Sequence, residues 1–339
     1  MKTRSFVQFV GPSVVLMILL LAAPLLTTLF LSVRNCTLDM EVVTVEESTP
    51  FGKKETVTQR ARLDASGRAI QTCRFVGFEY YRKVLGYDPD PSPPAVAQAP
   101  GADAAAGPGA PLNEFQGALR FTLLYTFVTL PFVLGIGLLL ALGVNAVSVR
   151  LRSVFISASL FPFIITPVVA ALSIKWLFRD NGLVPQLLSN FGVQVYWMGQ
   201  AWSAQFLIIV YGIWHVVPFA FIVFYAGLQS VPQDALEAAT IDGASRWQRL
   251  RYVTLPHLMP LLVFVTLIHV MDAYRVFEPV IVLTQGAFTT SVQYLTYYIL
   301  LQENNPYKAS AAAVLTLVGI LILLIPLLVR TWREQRGGA

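Results

Sequence analysis

Four ionisable residues lie three positions apart in one long and otherwise apolar stretch: His269, Asp272, Arg275 and Glu278. On a helix this spacing places them along one broad face, where both carboxylates can pair with Arg275. Ionisable groups are costly inside a membrane, so such residues in a membrane span are functional candidates. Three roles suit them: contact with a polar solute, a proton relay, or a structural ion cluster against a partner subunit. In another apolar stretch, Trp214, His215 and Phe219 are likewise grouped.

Both groups must be positioned by membrane-spanning helices. The chain is 55% hydrophobic and 13% charged, whereas soluble proteins carry about 25% charged residues. About 20 apolar residues in a row span a bilayer as a helix. The sequence therefore predicts an all-α membrane protein with six transmembrane helices, at about residues 10–33, 119–147, 153–177, 205–230, 257–283 and 308–331. The first is too long for a cleaved signal peptide and is predicted to be a retained anchor. Three glycines in the second span, Gly135, Gly137 and Gly143, indicate close helix packing.

The distribution of basic residues predicts the orientation of these spans. Cytoplasmic loops carry an excess of lysine and arginine. An N-terminus in the cytoplasm places one large set of basic residues inside: Lys2, Arg4, Arg150, Arg152, Arg246, Arg249, Arg251, Arg330, Arg333 and Arg336. The short external connections then hold little beyond Arg179. We therefore expect both termini to be cytoplasmic.

Three regions follow from this pattern: a first helix at 1–33, an external insert at 34–118, and a five-helix core at 119–339. Alternating polar and apolar residues with turn-rich breaks predict a β-rich part at 37–75. Residues 89–111 are rich in Pro, Ala and Gly and are predicted to be a flexible linker without a binding role. Cys36 and Cys73 bracket the β-rich part on the oxidising side, so we predict a disulfide. Two free thiols are the alternative.

A cytoplasmic loop at residues 231–256 links the fourth and fifth spans. Pro232 and Asp234 are typical of a helix start and Gly243 of a helix stop, while Pro256 suits the first turn of the next span. Ala238 and Ala239 allow another backbone to approach closely. Charged contacts are offered by Glu237, Asp242 and Arg246. An ordinary connecting loop with solvated charges is the alternative.

This loop resembles a known motif. Glu237-Ala238-Ala239, three further residues, Gly243, nine further residues and then Val253-Thr254-Leu255-Pro256 match the EAA motif of ABC importer permeases. The resemblance implies the type I importer permease fold and a coupling helix that docks on a separate ATPase. It assigns the first three residues and Gly243 to that contact, and we add Asp242 and Arg246 for their charge. No Walker-type phosphate loop occurs in this chain.

Other short elements resemble the MalF-like carbohydrate permeases: Phe75-Val76-Gly77-Phe78-Glu79-Tyr80-Tyr81, Gly182-Leu183-Val184 and Leu283-Thr284-Gln285-Gly286. Glu79 replaces the usual Asn, and Ala287 departs from the Gly-Gly-Pro continuation. In that family the sugar lies between the spans that flank the EAA loop. Carrying those positions over implies a site formed by His215, Phe219, His269, Ala273 and Val276. Asp272 and Arg275 join these candidates as ionisable neighbours, and Arg275 also suits an anionic solute.

The resemblance implies a bacterial inner-membrane importer for a sugar-like solute. Its expected partners are a second homologous permease, two ATPase subunits, an external solute-binding protein and membrane lipid, without nucleic acid. ATP and Mg²⁺ belong to the ATPase, so no cofactor, metal or catalytic residue is expected here. An ion-coupled secondary transporter that uses Asp272, Arg275 and Glu278 is the first rival. A membrane-anchored sensor whose insert binds ligand is the second.

Overall fold

The protein was examined as a computed structural model, which describes residues 3–49, 52–62, 71–87 and 113–337. The described chain is mostly helical. Its helices are α1 (Thr3–Ser32), α2 (Glu79–Leu85), α3 (Glu114–Ala146), α4 (Val149–Ile164), α5 (Pro167–Phe178), α6 (Leu183–Ser189), α7 (Ala201–Gln229), α8 (Gln233–Ile241), α9 (Arg246–Arg249), α10 (Leu255–Tyr274), α11 (Val292–Leu301) and α12 (Pro306–Gly337). Two π-helical segments, Leu250–Thr254 and Val280–Thr284, precede and follow α10.

Five helices in the described ranges are long and apolar enough to cross a membrane. They are Val10–Ser32, Glu114–Ala146, Ala201–Gln229, Arg246–Tyr274 and Pro306–Arg330. A sixth crossing is obtained when α4 is counted with the bent helical stretch that follows it. These helices confirm the predicted class of multi-pass helical membrane protein.

The third predicted span is not one straight helix. It is broken at Ile165 and Thr166, and the helices on the two sides of the break differ in direction by 92°. Pro167 explains the break, because proline pushes the residue before it out of helical conformation and has no N–H to continue the helix. Thr166 accordingly has the extended angles φ −59° and ψ 140°. The sequence predicted one candidate helix at about 153–177, whereas the structure has two helices there, α4 and α5, with a break between them.

The fifth predicted span also ends earlier than expected. Helix α10 stops at Tyr274, and the chain resumes helical structure at Glu278, just before the π-helical segment Val280–Thr284. Pro279 explains this end, because it cannot donate to the carbonyl of Arg275 and its ring would clash there. Arg275 and Glu278 are therefore not on the same continuous helix as His269, although the sequence predicted one helix over 257–283.

The insert after α1 contains two separate antiparallel strand pairs. Strand β1 (Arg34–Leu38) pairs with β4 (Gln71–Phe75), and β2 (Met40–Thr49) pairs with β3 (Gly52–Ala61). This confirms the β-rich character predicted for 37–75. Cys36 lies opposite Cys73 in the first pair, and the structure joins them by a disulfide bond. The linker predicted at 89–111 and the turn cluster at 64–67 lie outside the described residues.

Helix α3 packs along α7 to form the centre of the five-helix core. Lipid tails are as apolar as leucine side chains, so close packing rather than the hydrophobic effect holds such helices together. A Cβ on Gly137 would lie 2.7 Å from the Cβ of Ala220, so only glycine permits this approach. Gly135 and Gly143 have no described atom within 4 Å of an added Cβ. The prediction of close packing is therefore confirmed for Gly137 alone.

Candidate functional site

The loop at residues 231–256 forms a compact helical unit, which we call the coupling segment. Helix α8 ends in a Schellman motif: Gly243 N–H donates to the carbonyl of Thr240 at 3.1 Å, and Ala244 N–H donates to that of Ala239 at 2.9 Å. Gly243 has a φ of +78°. Residues with a Cβ adopt this left-handed conformation at a cost of about 1–2 kcal/mol, which explains the glycine.

Helix α9 is fixed to α8 by side-chain hydrogen bonds. Ser245 and Gln248 form a capping box, in which Gln248 N–H donates to Ser245 Oγ at 3.3 Å and Ser245 N–H donates to Gln248 Oε1 at 2.7 Å. The guanidinium of Arg249 donates to Thr240 Oγ1 at 2.9 Å. The π-helical segment then continues into α10, with Pro256 at the predicted first turn. The coupling segment therefore runs without a break from α9 into the fifth span.

The coupling segment presents an uncovered mixed surface. Glu237, Ala238, Asp242, Gly243 and Arg246 are exposed, and Ala239 is half-buried. Within the described ranges, no salt bridge involves the three charged residues of this set. Large apolar side chains are exposed beside them: Ile241 at 86% and Trp247 at 67%. Apolar side chains rimmed by charge are typical of a protein contact surface.

Sequence reasoning missed these two apolar side chains, although a signal for one was present. Ile241 follows Glu237 by one helical turn and so lies on the same, polar face of α8. A large apolar residue on a polar face is the pattern that would have identified it. Trp247 follows the cap of a helix only four residues long, where helical periodicity carries too little information to assign a face.

The two candidate histidines face different neighbours. His269 is only 2% exposed, and its Nε2 lies 2.9 Å from Thr129 Oγ1 on α3. Because that hydroxyl donates to the carbonyl of Tyr125 at 2.8 Å, it is placed to accept the Nε2 hydrogen of the imidazole. Its Nδ1 has no partner among the described residues. His269 is thus enclosed between α10 and α3.

His215 belongs to an aromatic group that joins α7 to the end of α4. Its ring stacks on Tyr211, with centroids 5.7 Å apart and an interplanar angle of 10°. Phe163 lies 6.3 Å from His215 and 6.1 Å from Phe219. His215 is half-buried, and its Nδ1 lacks a partner in the described part of the chain. We call Phe163, Tyr211, His215 and Phe219 the aromatic group.

The three charged candidates lie near this group. Asp272 and Arg275 are exposed and Glu278 is half-buried. No salt bridge joins any of them to another described residue. The Glu278 carboxylate is near enough to Tyr211 and His215 for electrostatic interaction, and Asp272 interacts with Arg275 and Glu278. The chain thus keeps three charged groups within its apolar part without neutralising them in close pairs.

The remaining two carried-over positions lie in the packed core. Ala273 and Val276 are 5% and 6% exposed and belong to the hydrophobic cluster that contains Phe121 and Tyr211. Together with His269, they are enclosed by this subunit. The sequence resemblance carried all three into the predicted solute site, and it did not single out Phe163 or Tyr211, which contact His215 in the structure. The break before Pro167, which was readable from the sequence, is what brings the end of α4 to α7.

An apolar groove of about 390 Å³ lies between α3, α4 and α7. Its lining includes Leu140, Pro162 and Trp214 but none of the candidate solute-binding residues. No group of three or more His, Cys, Asp or Glu side chains in the described ranges is placed to hold a metal ion.

Similar proteins indicate what this arrangement serves. The arabinooligosaccharides transport system permease protein AraP of Halalkalibacterium halodurans is 32% identical over 66% of this chain and 73% of its own length. The trehalose/maltose transport system permease protein MalF of Thermococcus litoralis is 34% identical over 62% of this chain and 72% of its own.

Solved structures give the same result for the fold. A bacterial ABC transporter involved in the import of the acidic polysaccharide alginate contains a chain that is 28% identical, with a TM-score of 0.60 over 65% of this chain and 79% of that one. A bacterial alginate ABC transporter in complex with an alginate pentasaccharide-bound periplasmic protein matches with a TM-score of 0.58 and 28% identity, over 63% of this chain and 77% of that one.

The family model of the binding-protein-dependent transport system inner membrane component matches residues 112–336. This range includes the coupling segment and the aromatic group, whereas the β-rich insert lies outside it. The match supports an importer permease and gives no support to the ion-coupled alternative. The chain belongs to the family of inner membrane components of binding-protein-dependent transport systems.

Proposed function

We propose that this permease subunit imports a sugar or oligosaccharide and that its coupling segment docks on a separate ATPase. The observation that carries the proposal is the exposed α8–α9 unit, whose turn is held by hydrogen bonds and which continues into the fifth span. Movement of a docked ATPase would displace α8 and turn α10 with it. The resulting change would alternately open the solute site to the two sides of the membrane.

The orientation and assembly follow from the same proposal. The excess of basic residues, with Arg246 and Arg249 in the coupling segment, supports a cytoplasmic location for this segment and for both termini. The protein would then lie in a bacterial inner membrane beside a second, homologous permease, with two ATPase subunits inside and a solute-binding protein outside. ATP and Mg²⁺ would be bound by the ATPase, and this chain would need no cofactor.

We place the solute at the open side of the aromatic group. Small-molecule sites combine apolar and aromatic walls with a few polar groups, and here Phe163 and Phe219 would pack against sugar faces while His215 holds a hydroxyl. Asp272 and Arg275 are exposed and available for hydrogen bonds. His269, Ala273 and Val276 would support these residues from behind, since the subunit encloses them.

The charges of this region favour a neutral solute over an anionic one. Two carboxylates, Asp272 and Glu278, lie near the single guanidinium of Arg275. A negatively charged solute would meet this excess of negative charge at short range, which is unfavourable in a medium of low dielectric constant. The alginate importer carries an acidic polysaccharide. We propose that this chain shares its fold but carries a neutral solute.

Co-purification with the ATPase tests the coupling proposal. In the full complex, Glu237→Lys reverses an exposed charge on α8, whereas Asp180→Lys makes the same change at an exposed residue between α5 and α6. We expect the amount of ATPase bound to the first variant to fall about tenfold, corresponding to about 1.4 kcal/mol. The Asp180 variant should retain it. Equal retention by the two variants would show that the ATPase docks elsewhere.

A further inference from the structure

Three aromatic side chains around α2 are unusually exposed. Phe75 is 71% exposed, Phe78 73% and Tyr87 74%. By comparison, Leu20 on α1, the first membrane span, is 63% exposed. These three rings are therefore at least as open as side chains that face lipid, although they lie beyond the end of the first span.

Hydrogen bonds fix α2 at the level where α1 leaves the membrane. The span Val10–Ser32 has 23 residues, which corresponds to about 34 Å of helix and slightly exceeds the hydrocarbon thickness of about 30 Å. The carbonyl of Val33 accepts the N–H groups of Val76 at 2.9 Å and Gly77 at 3.2 Å. Tyr81 also donates its hydroxyl to Ser32 at 2.8 Å. The entry to α2 thus lies at the membrane boundary.

Packing on one side of α2 determines which side remains open. Tyr80 and Val84, one helical turn apart, are buried. Tyr80 stacks on Tyr307 at the start of α12, with ring centroids 6.2 Å apart. The ring of Phe78 instead contacts that of Tyr81, with the ring centroids 5.6 Å apart. Because the buried pair holds the helix, Phe78 cannot turn inward without breaking the stack on Tyr307.

We propose that Phe75, Phe78 and Tyr87 lie in the headgroup layer of the leaflet that the C-terminal end of α1 reaches. Aromatic rings are enriched at this depth because they are apolar in body and tolerate partial hydration. The exposed basic side chain of Arg74 accompanies them and matches the phosphates of lipid headgroups. The partner of this surface is the lipid interface, which holds α2 flat on the membrane and steadies the start of the insert.

Spin-label accessibility in lipid nanodiscs tests the proposal on the full complex. Single cysteines replace Phe75, Phe78 or Tyr87, and Thr72→Cys serves as the control because Thr72 is exposed three residues before Phe75. The native cysteines are joined by a disulfide, and the labelling of the parental complex sets the background. We expect labels at the three aromatic positions to collide with oxygen severalfold more often than with a water-soluble nickel complex. The Thr72 label should show the reverse.

Two outcomes would overturn the proposal. Nickel accessibility at the aromatic positions equal to that at Thr72 would show that the rings face water. Low accessibility to both reagents would show that protein covers the rings. If accessibility then returned when the solute-binding protein was removed, the rings would be part of the surface on which that protein docks. Phe78→Cys also removes the contact with Tyr81. If that variant fails to assemble, Phe75 and Tyr87, for which the structure gives no ring contact, decide the outcome.

Discussion

Substituting alanine for Gly243 should destabilise the turn between α8 and α9, and the free-energy cost can be worked out from the backbone conformation. No atom lies within 4 Å of a Cβ added there, so the cost comes from the backbone alone. The left-handed conformation costs about 1–2 kcal/mol for a residue with a Cβ, and alanine recovers about 0.4–1 kcal/mol by restricting the unfolded chain. The net cost is about 1 kcal/mol, or roughly a fivefold change in population.

Gly192→Ala provides a matched control. Gly192 has a φ of +76°, against +78° for Gly243, and also has no atom within 4 Å of an added Cβ. The two variants should therefore lose similar thermal stability. Helix α8 has only nine residues, and so short a helix is only marginally stable on its own. Only Gly243→Ala should therefore reduce ATPase binding and solute-stimulated ATP hydrolysis, by up to about fivefold. Gly243→Asn should retain more activity, since asparagine tolerates the left-handed region.

The assay compares ATP hydrolysis by the purified complexes with and without solute-loaded binding protein, alongside thermal unfolding of each variant. Equal hydrolysis by the Gly243 and Gly192 alanine variants, at equal stability, would refute the role of the α8–α9 turn. A loss of activity in both variants that follows their stability would refute it as well.

Three further predictions concern the rest of the molecule. Thr129→Val removes the hydroxyl that accepts from His269, and the buried N–H should then cost about 1–3 kcal/mol in thermal unfolding. Phe163→Ala should weaken sugar binding about fivefold, or about 1 kcal/mol, whereas Phe161→Ala should not. Non-reducing mass spectrometry of oxidised protein should find the Cys36–Cys73 peptide pair linked; unlinked peptides would contradict the disulfide.

The spans and the coupling segment were predictable because their signals are local. A run of about 20 uncharged residues has few structures available to it in a bilayer. Gly243 was readable as a helix stop because the left-handed turn requires its residue type. The breaks at Pro167 and before Pro279 were also encoded locally. The search for charge-poor stretches overlooked them because proline is tolerated in membrane helices.

The environment of each candidate residue was not predictable in the same way. His215 and His269 both follow apolar helical patterns, yet one stacks on Tyr211 and the other bonds to Thr129 on α3. Which side of a span faces a neighbouring helix depends on packing with residues far away in the sequence, such as Thr129, which lies 140 positions before His269. The sequence pattern of a helix that is apolar on all sides carries little information on that choice.

Uptake of labelled oligosaccharide into proteoliposomes tests the central claim most directly. The reconstituted complex is given ATP and Mg²⁺ on the side of the coupling segment and binding protein on the other, and uptake is compared with that driven by an imposed proton or sodium gradient. We predict uptake that requires ATP and is reduced by Gly243→Ala but not by Gly192→Ala. Uptake that persists without ATP and follows the ion gradient would contradict the account.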